Sequence, residues 1–140
     1  MIKYATLQAA QSGGMAPWDD AVADMSTEHV AVFRDRYPVT PGHLLFIPRN
    51  NTSEGLVVAM GMALLAGQSM VLRNECEGFN VGLNIGPAAG QTVMYPHVHL
   101  IPRRAGDTPD PVGGVRAVVA GQANYRTGSY QLPNDNTKQK

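Results

Sequence analysis

Two histidines one residue apart, His97 and His99, are the residues of this 140-residue chain whose types and spacing point most directly to chemistry. If the segment is extended, side chains alternate between its two faces, so both imidazoles point the same way together with Tyr95. Imidazole has a reference pKa of about 6.5, which suits it to act as a nucleophile, a proton carrier or a metal ligand. The spacing alone leaves three interpretations open: polar side chains on a solvated strand face, a metal site, or a nucleophile beside a hydrogen-bond donor.

The metal interpretation requires more ligands than this pair supplies, because protein metal sites use three or four side chains. The residues after His99 are Leu, Ile, Pro, Arg and Arg, and two arginines repel a cation. Cys76 is the single cysteine, so no Cys-x-x-Cys pair exists. The sequence therefore disfavours a metal-dependent enzyme using His97 and His99, and we expect neither a metal nor another cofactor.

Phosphoryl chemistry fits the surrounding residues better. A neutral imidazole can attack phosphorus and form a covalent phosphoramidate, which splits one difficult displacement into two easier ones. The transition state spreads negative charge over the phosphoryl oxygens, so hydrogen-bond donors must already be in place. Donors near the pair are the side chains of Gln91, Thr92 and Arg103 and the glycine-rich backbone of residues 86–90.

Such side chains need a scaffold, and the apolar pattern predicts one of class α+β with a mainly antiparallel sheet and a long helix on one face. The four placeable strands are 29–34, 44–47, 78–84 and 95–102, with a short helix led by Pro17 at 17–24 and a long apolar helix at 54–75. We expect one domain over 1–140, with an N-terminal arm at about 1–16 and a loop-rich tail at about 105–140.

The charge and composition of the chain restrict the kinds of partner that we expect it to bind. A formal net charge of zero gives no field that draws the protein to nucleic acid or to an anionic membrane. The most apolar stretch, 55–72, contains glycines and polar residues and reads as too short and too polar to span a bilayer. A single cysteine and no secretory signal favour the cytoplasm. Charged residues make up 16% of the chain, against roughly 25% in a typical domain, which fits a homodimer.

Two blocks of sequence resemble the histidine-triad (HIT) family, whose motif is His-φ-His-φ-His-φ-φ with φ apolar. Family members precede it with Asn-x-Gly and Gly-Gln-Ser/Thr-Val, and this chain has Asn84-Ile85-Gly86 and Gly90-Gln91-Thr92-Val93 at matching distances. The second block, 35–49, is similar to Asp-x-x-Pro-x-x-Pro-Gly-His-x-Leu-φ-Ile-Pro-Lys. The resemblance covers roughly residues 25–104.

The chain departs from the family pattern in three places. By this alignment Tyr95 stands where the first histidine of the triad is expected. Asn50 and Asn51 stand where a histidine often follows the second block, and the paired N-terminal cysteines that bind zinc in some relatives are missing. Tyrosine has a pKa near 10 and is a poor proton shuttle at neutral pH. Slower turnover, or substrates whose leaving group needs little protonation, would follow.

The resemblance implies a sheet of about five strands, a homodimer, and His97 as the nucleophile with His99 on the phosphoryl group. It implies that Phe33 meets the base, that Asp35 meets the ribose hydroxyls, and that His43 lies close to the histidine strand. The candidate site residues are therefore His97, His99, Gln91 and Tyr95 as catalytic, and Asn84, Thr92, Asp35, Phe33, His43 and Arg103 as substrate-binding.

The implied function is that of a nucleotide hydrolase or nucleotidyl transferase. Its nucleophile would attack the α-phosphorus of a dinucleoside polyphosphate or a nucleoside phosphoramidate and release a nucleoside monophosphate. Two alternatives stay open: a catalytically weak nucleotide-binding protein, suggested by Tyr95, and the metal-dependent enzyme already described. The resemblance does not choose the leaving group, because its contacts lie on loops.

Overall fold

The histidine segment leads into the middle of an antiparallel sheet. This computed structural model describes residues 3–127 and 132, and its helices and strands follow in chain order as α1 (Leu7–Ser12), β1 (Val30–Arg34), β2 (Leu44–Pro48), α2 (Ser53–Leu72), β3 (Gly78–Gly82) and β4 (Val98–Arg103). The strand order is β1-β2-β4-β3, and each neighbouring pair is antiparallel. Strands β2 and β4 are central, so the strand that carries His99 is paired on both sides.

The apolar helix of the sequence is α2, which covers one face of the sheet. The Thr52 hydroxyl caps it by accepting a hydrogen bond from the Gly55 N–H at 3.0 Å, as an N-cap residue should. Its buried residues recur at helical spacing as Ala59, Ala63, Gly67 and Met70. A side chain at Gly67 would run into the Phe79 ring, so the small residue sets how closely α2 approaches the sheet.

The sheet buries both of its faces. On the α2 side the buried residues of the strands are Val30, Val32, Leu44, Phe46, Val98 and Leu100. On the opposite side they are Ala31, Phe33, Leu45 and Ile47, and these pack with α1, Ala16 and Tyr95. The alternation along β1 and β2 is the period of two that a strand imposes. The prediction that β2 is buried on both faces is confirmed.

The predicted α+β class with an antiparallel sheet and one long helix is confirmed, and two local predictions are wrong. The short helix forms at Leu7–Ser12, inside the predicted arm, where the Thr6 hydroxyl caps it by accepting from the Ala9 N–H at 3.1 Å. Segment 17–24 is not helical, because the Val22 N–H donates to the Val32 carbonyl at 2.8 Å along the edge of β1. Within the described residues this edge adds one isolated bridge, so the sheet has four strands rather than about five.

Helix α2 is long and apolar enough to cross a membrane by length and composition, with a mean hydropathy of 1.9. One helix of this kind is weak evidence for a membrane span, because the core helix of a domain passes the same test. Helix α2 contacts strands β1, β2, β3 and β4 along its inner face, and 17% of its apolar stretch is buried. That face is part of the core of the domain, and spanning a bilayer would require the helix to leave the sheet.

The chain divides after Asp107 into two compact units, Met1–Asp107 and Thr108–Lys140. In the second unit, a 3-10 helix runs over Gly114–Val118, where a loop-rich tail was expected. The Arg116 guanidinium donates to the Gln122 carbonyl at 3.0 Å and lies 5.3 Å from the centre of the Tyr125 ring. The prediction of a single domain over 1–140 stays a prediction.

Candidate active site

His97 lies just before β4, and the backbone fixes which of its nitrogens carries the proton. Its Nδ1 is 2.8 Å from the Tyr95 carbonyl oxygen, which only accepts, so Nδ1 donates and Nε2 keeps a free lone pair. Burial lowers the pKa of the His97 imidazole, against smaller opposing effects of the Tyr95 carbonyl and the Asp35 carboxylate. The ring is therefore neutral at pH 7, and its Nε2 has the form a nucleophile requires.

His99 lies on β4 and is held in the opposite tautomer by a chain of hydrogen bonds. The Val39 backbone N–H donates to Nδ1 of His43 at 3.0 Å, so the proton of His43 resides on Nε2. Nε2 of His43 is 2.9 Å from Nδ1 of His99 and donates to it. The proton of His99 is therefore on Nε2, which makes that nitrogen a donor. The Val39 backbone amide thus determines, through His43, which nitrogen of His99 carries the proton.

Asp35 lies beside this chain without dominating it. Its Oδ2 is 3.5 Å from Nε2 of His43 and 3.9 Å from Nδ1 of His99, and its Oδ1 accepts from the Tyr37 N–H at 2.8 Å. The carboxylate favours protonated imidazoles, but burial outweighs it and lowers the pKa of His43. Burial, with His97 and His43 as neighbours, lowers the pKa of His99 to about 4. Both rings are neutral at pH 7.

Asp35, His43 and His99 are also the group among the described residues whose spacing would suit a metal ion, with ligand atoms within 4.8 Å of one another. A metal on Nε2 of His43 would force the ring proton onto Nδ1. The Val39 N–H already points at Nδ1, and metal-bound histidines need an acceptor there. The donor set therefore fits a hydrogen-bond chain better than a metal site.

The imidazoles of His97 and His99 face the same cavity, with ring centroids 5.2 Å apart. Val98 and Leu100 between and beyond them are fully buried on the opposite face, as the alternation predicts. The cavity has a volume of about 930 Å³. Of the predicted site residues it is lined by Asp35, His43, Asn84, Thr92, His97 and His99. The Asn84 side chain makes no hydrogen bond to the described residues, which leaves its amide available to a ligand.

Tyr95 lies on the same side of the sheet as the imidazoles, in the cluster of Leu45, whose Cα partner is His99, but its side chain does not line their cavity. Its side chain is 4% exposed, and its hydroxyl donates to the Pro48 carbonyl at 2.7 Å. Burial raises the pKa of the Tyr95 phenol to about 12. The Tyr95 ring packs into the apolar cluster of that face instead of facing the cavity. The carbonyl of Tyr95, not its phenol, reaches the imidazole of His97.

Two further predicted residues do not line the cavity. Phe33 is 6% exposed and packs in the core with Leu45 and Ile47. Arg103 lies at the far end of β4, where it donates to the Asp107 carboxylate at 2.7 Å and to Asn80 at 2.9 Å. Neither side chain lines the cavity that His97 faces, and their contacts with a substrate stay predictions.

Gln91 is close to the site, but its amide is engaged by the loop that carries it. Its Oε1 accepts from the Gly86 N–H at 2.8 Å, and its Nε2 donates to the carbonyls of Val93 and Met94. All of these bonds close the loop onto itself. Gln91 lines a second cavity of about 590 Å³ together with Tyr95, so a direct catalytic contact stays a prediction.

The sequence argument missed Trp18, which lines the cavity of His97. The indole and imidazole ring centroids are 4.9 Å apart, with planes inclined at 56°. Trp18 lies far from the histidine motif in the sequence and has no periodic pattern around it. The one available signal was its being the only tryptophan in the chain.

Comparison with known proteins fits this geometry. A family model described as the HIT domain matches residues 20–106, which is more than half of the chain. The chain belongs to the HIT family. The resemblance noted in the sequence is thereby confirmed, and the two blocks that carry it lie within the matched region.

Individual HIT relatives add detail. AP-4-A phosphorylase of Mycobacterium tuberculosis is 40% identical over 79 residues, which cover 51% of this chain and 40% of that protein. An adenylylsulfatase of Arabidopsis thaliana is 34% identical over 80 residues, which cover 52% of this chain and 41% of that protein. This chain thus matches less than half the length of either relative. A HIT family protein of Bacillus anthracis has a similar structure, with a TM-score of 0.57 and 29% identity over 73% of this chain and 75% of that one.

Proposed function

We propose that this protein is a nucleotide hydrolase or nucleotidyl transferase in which His97 attacks the α-phosphorus of a nucleotide. The observation that carries the proposal is the pair of opposite tautomers: Nε2 of His97 has a free lone pair, while Nε2 of His99 carries a proton. One ring can therefore form a bond to phosphorus while the other donates to a phosphoryl oxygen. The named activities of the two curated relatives concern nucleotides, which supports the same substrate class.

In the first step the Nε2 lone pair of His97 forms a bond to phosphorus, and the bond from phosphorus to the leaving group breaks with its electron pair. Positive charge develops on the imidazole, and the Tyr95 carbonyl at Nδ1 stabilises it. The His99 Nε2–H stabilises the negative charge on the phosphoryl oxygens. In the second step water bonds to phosphorus, the P–N bond breaks, and its electron pair returns to Nε2. The water loses a proton to solvent, and a nucleoside monophosphate is released.

Protonation of the leaving group is where this chain differs from the family pattern. The Tyr95 hydroxyl is bonded to the Pro48 carbonyl, and its pKa of about 12 disfavours transfer of its proton. The phenol therefore supplies no general acid. We expect leaving groups that depart as stable anions, such as the nucleotide of a dinucleoside polyphosphate, to react faster than the amine of a nucleoside phosphoramidate.

The test is mass spectrometry of protein quenched within milliseconds of mixing with diadenosine tetraphosphate or an adenosine phosphoramidate. We expect a nucleotidyl adduct on His97 in the wild type and no adduct in His97→Ala. The matched control is His29→Ala, because His29 has a side chain 68% exposed and does not line the cavity. An adduct on another residue, or turnover that survives His97→Ala, would contradict the mechanism.

The second candidate function is nucleotide binding with little turnover. The placement of Tyr95 favours it, since the position of the first triad histidine supplies no proton donor to the cavity. This candidate predicts that a nucleotide binds equally well to the wild type and to His97→Ala, without hydrolysis by either. Measuring affinity and product release in the same titration separates the two candidates.

We also propose a homodimer in the cytoplasm. The outer face of α2 exposes apolar side chains that a second copy would cover: Val57, Val58, Met60, Leu64, Leu65 and Leu72. The single cysteine, Cys76, is free and buried, which suits a reducing compartment. Light scattering after size exclusion should give twice the chain mass. Leu65→Glu should give monomers, whereas Val39→Glu, an equally exposed position off α2, should not.

A further inference from the structure

We propose that Trp18 is the platform on which the nucleobase of the substrate stacks, and that it takes the place in this chain that the sequence assigned to Phe33. The inference rests on the proposed function, because it presumes a nucleotide whose phosphate lies at His97. It begins from a mismatch: Phe33 is buried in the core and does not line the cavity, whereas Trp18 does.

Trp18 has the two surroundings that a stacking platform needs. It is half-buried, and part of its ring packs against the buried cluster that contains Phe33 and Leu45. It also lines the cavity together with His97 and Asp35. A ring supported by the core on one side and open to a ligand on the other offers a flat π surface at low conformational cost.

The chain on either side of Trp18 is held by hydrogen bonds. The Arg36 guanidinium donates to both neighbours of Trp18, to the Asp19 carboxylate at 3.1 Å and to the Pro17 carbonyl at 3.4 Å. One residue further on, the Arg34 backbone N–H donates to the Asp20 carbonyl at 2.8 Å. The ion pairs are exposed and contribute little alone, but the backbone bond extends β1 and fixes the path of the segment.

The other aromatic side chain on this cavity is Tyr37, which is 81% exposed. A ring so fully solvated has no support from the core and must lose freedom when a base stacks on it. Trp18 is already ordered against the His97 imidazole at 4.9 Å. The indole is therefore the better platform, and its distance from the nucleophile suits a base joined to the reacting phosphate through one ribose.

The test uses two ligands that differ only by the base, adenosine 5′-monophosphate and ribose 5-phosphate. Because Trp18 is the only tryptophan in the chain, the intrinsic indole fluorescence reports this residue alone. We expect the adenine ligand to quench that emission and to bind on the order of 10-fold more tightly than ribose 5-phosphate. In Trp18→Ala, measured by calorimetry, the affinity for the adenine ligand should fall to that for ribose 5-phosphate.

Two variants keep the result interpretable. Trp18→Phe retains an aromatic face and should keep most of the preference for the adenine ligand, with an unchanged thermal midpoint as the check on folding. Tyr37→Ala removes the competing ring and should keep the preference in full. Trp18→Ala that binds both ligands as the wild type does, or weakens both equally, overturns the inference, since the second outcome marks a residue that only supports His97.

The proposed function and this inference fail in different ways. A wild type that binds both ligands equally but forms the adduct on His97 overturns only the role of Trp18. A wild type that binds neither ligand and forms no adduct overturns both.

Discussion

The two faces of the central sheet are built from the same strands but are held by different forces. On the α2 side, the buried residues of the strands form an apolar cluster with the helix, and Phe46, Val98 and Leu100 belong to it. On the other side, the apolar cluster of Leu45 and Ile47, which packs with α1, adjoins a set of hydrogen-bonded imidazoles that line a cavity. One face supplies stability through burial, and the other supplies chemistry through hydrogen bonds whose donors are fixed by the backbone.

This difference shows how imidazoles that line a cavity can be held in their neutral forms. Burial disfavours their charged forms, and hydrogen bonds with the backbone at Tyr95 and Val39 assign each proton to one nitrogen. The apolar face packs β2 and β4, which carry these residues or lead into them, against α2. Substitutions on the two faces should therefore separate activity from stability.

The largest expected effect is on activity alone. His97→Ala removes the proposed nucleophile and should lower kcat by roughly 10⁴-fold or more while leaving the fold intact. Initial rates with diadenosine tetraphosphate and a circular dichroism melt measure the two quantities. His29→Ala should match the wild type in rate and in thermal midpoint. Comparable rates for His97→Ala and the wild type would contradict the proposed mechanism.

The converse change is on the α2 side. Phe46 is 1% exposed, and Phe46→Ala should lower the free energy of unfolding by about 3–5 kcal/mol through lost burial and a residual cavity. Urea denaturation measures it, and kcat of the folded fraction should stay within about 2-fold of the wild type. Val39→Ala, at an exposed side chain, should cost less than about 0.5 kcal/mol. A large loss of kcat in fully folded protein would show that substitutions on the two faces do not separate activity from stability.

Acidification should act on the face that carries the imidazoles. The folded-state pKa values of His43, His97 and His99 are lowered, that of His99 to about 4, so between this value and about 6.5 the unfolded chain binds more protons. The free energy of unfolding should therefore fall as the pH drops from 7 to 4, by roughly 1–3 kcal/mol for His99. Denaturation at several pH values measures the slope. His99→Gln should flatten it and His29→Ala should not; equal slopes in all three proteins would refute the assignment.

A smaller effect is expected at the positioning residue His43, which acts through His99. His43→Leu removes the donor to Nδ1 of His99 and should lower kcat about 10- to 100-fold with little change in KM. His43→Gln, whose amide N–H can replace that donor, should recover part of the loss. If the two variants are equally impaired, the hydrogen bond to His99 is not what His43 contributes.

The smallest effect is expected at Tyr95. Tyr95→Phe removes the hydroxyl on the Pro48 carbonyl and should cost about 1 kcal/mol of stability. The backbone carbonyl that orients His97 remains, so kcat should stay within about 2-fold. Tyr125→Phe, at a half-exposed ring, is the control for stability. A drop in kcat of more than 10-fold would indicate that the Tyr95 phenol takes part in the reaction.

The elements of the fold were predictable where a local pattern determines them. The four residues Leu44, Leu45, Phe46 and Ile47 predict a buried strand, and the capped apolar run after Thr52 predicts α2. The short helix was misplaced because Pro17 and the acidic residues after it imitate a helix start. Pairing of Val22 with Val32 across the edge of β1 overrides that local signal, and such pairing is not visible in one segment.

The site was predictable to the extent that motif positions fix side chains on strands. His97, His99, Asp35 and His43 come together because β2 and β4 are neighbours and the motifs mark both. Tyr95 and Phe33 lie on the imidazoles' side of the sheet but are buried there by tertiary packing, and residue type does not give that. Trp18 was missed because its placement depends on tertiary contacts of a segment without periodicity.

The hydrogen bond from Val39 to His43 has a consequence for how this chain tolerates change. Its donor belongs to the main chain, so any amino acid except proline at position 39 supplies it, and the side chain there is 68% exposed. The protonation of His43 and His99 therefore depends on the path of the loop that carries residue 39 and not on the side chain at that position. Val39→Pro is the single replacement at that position that would remove the hydrogen bond to His43. Replacement by any other amino acid would keep it.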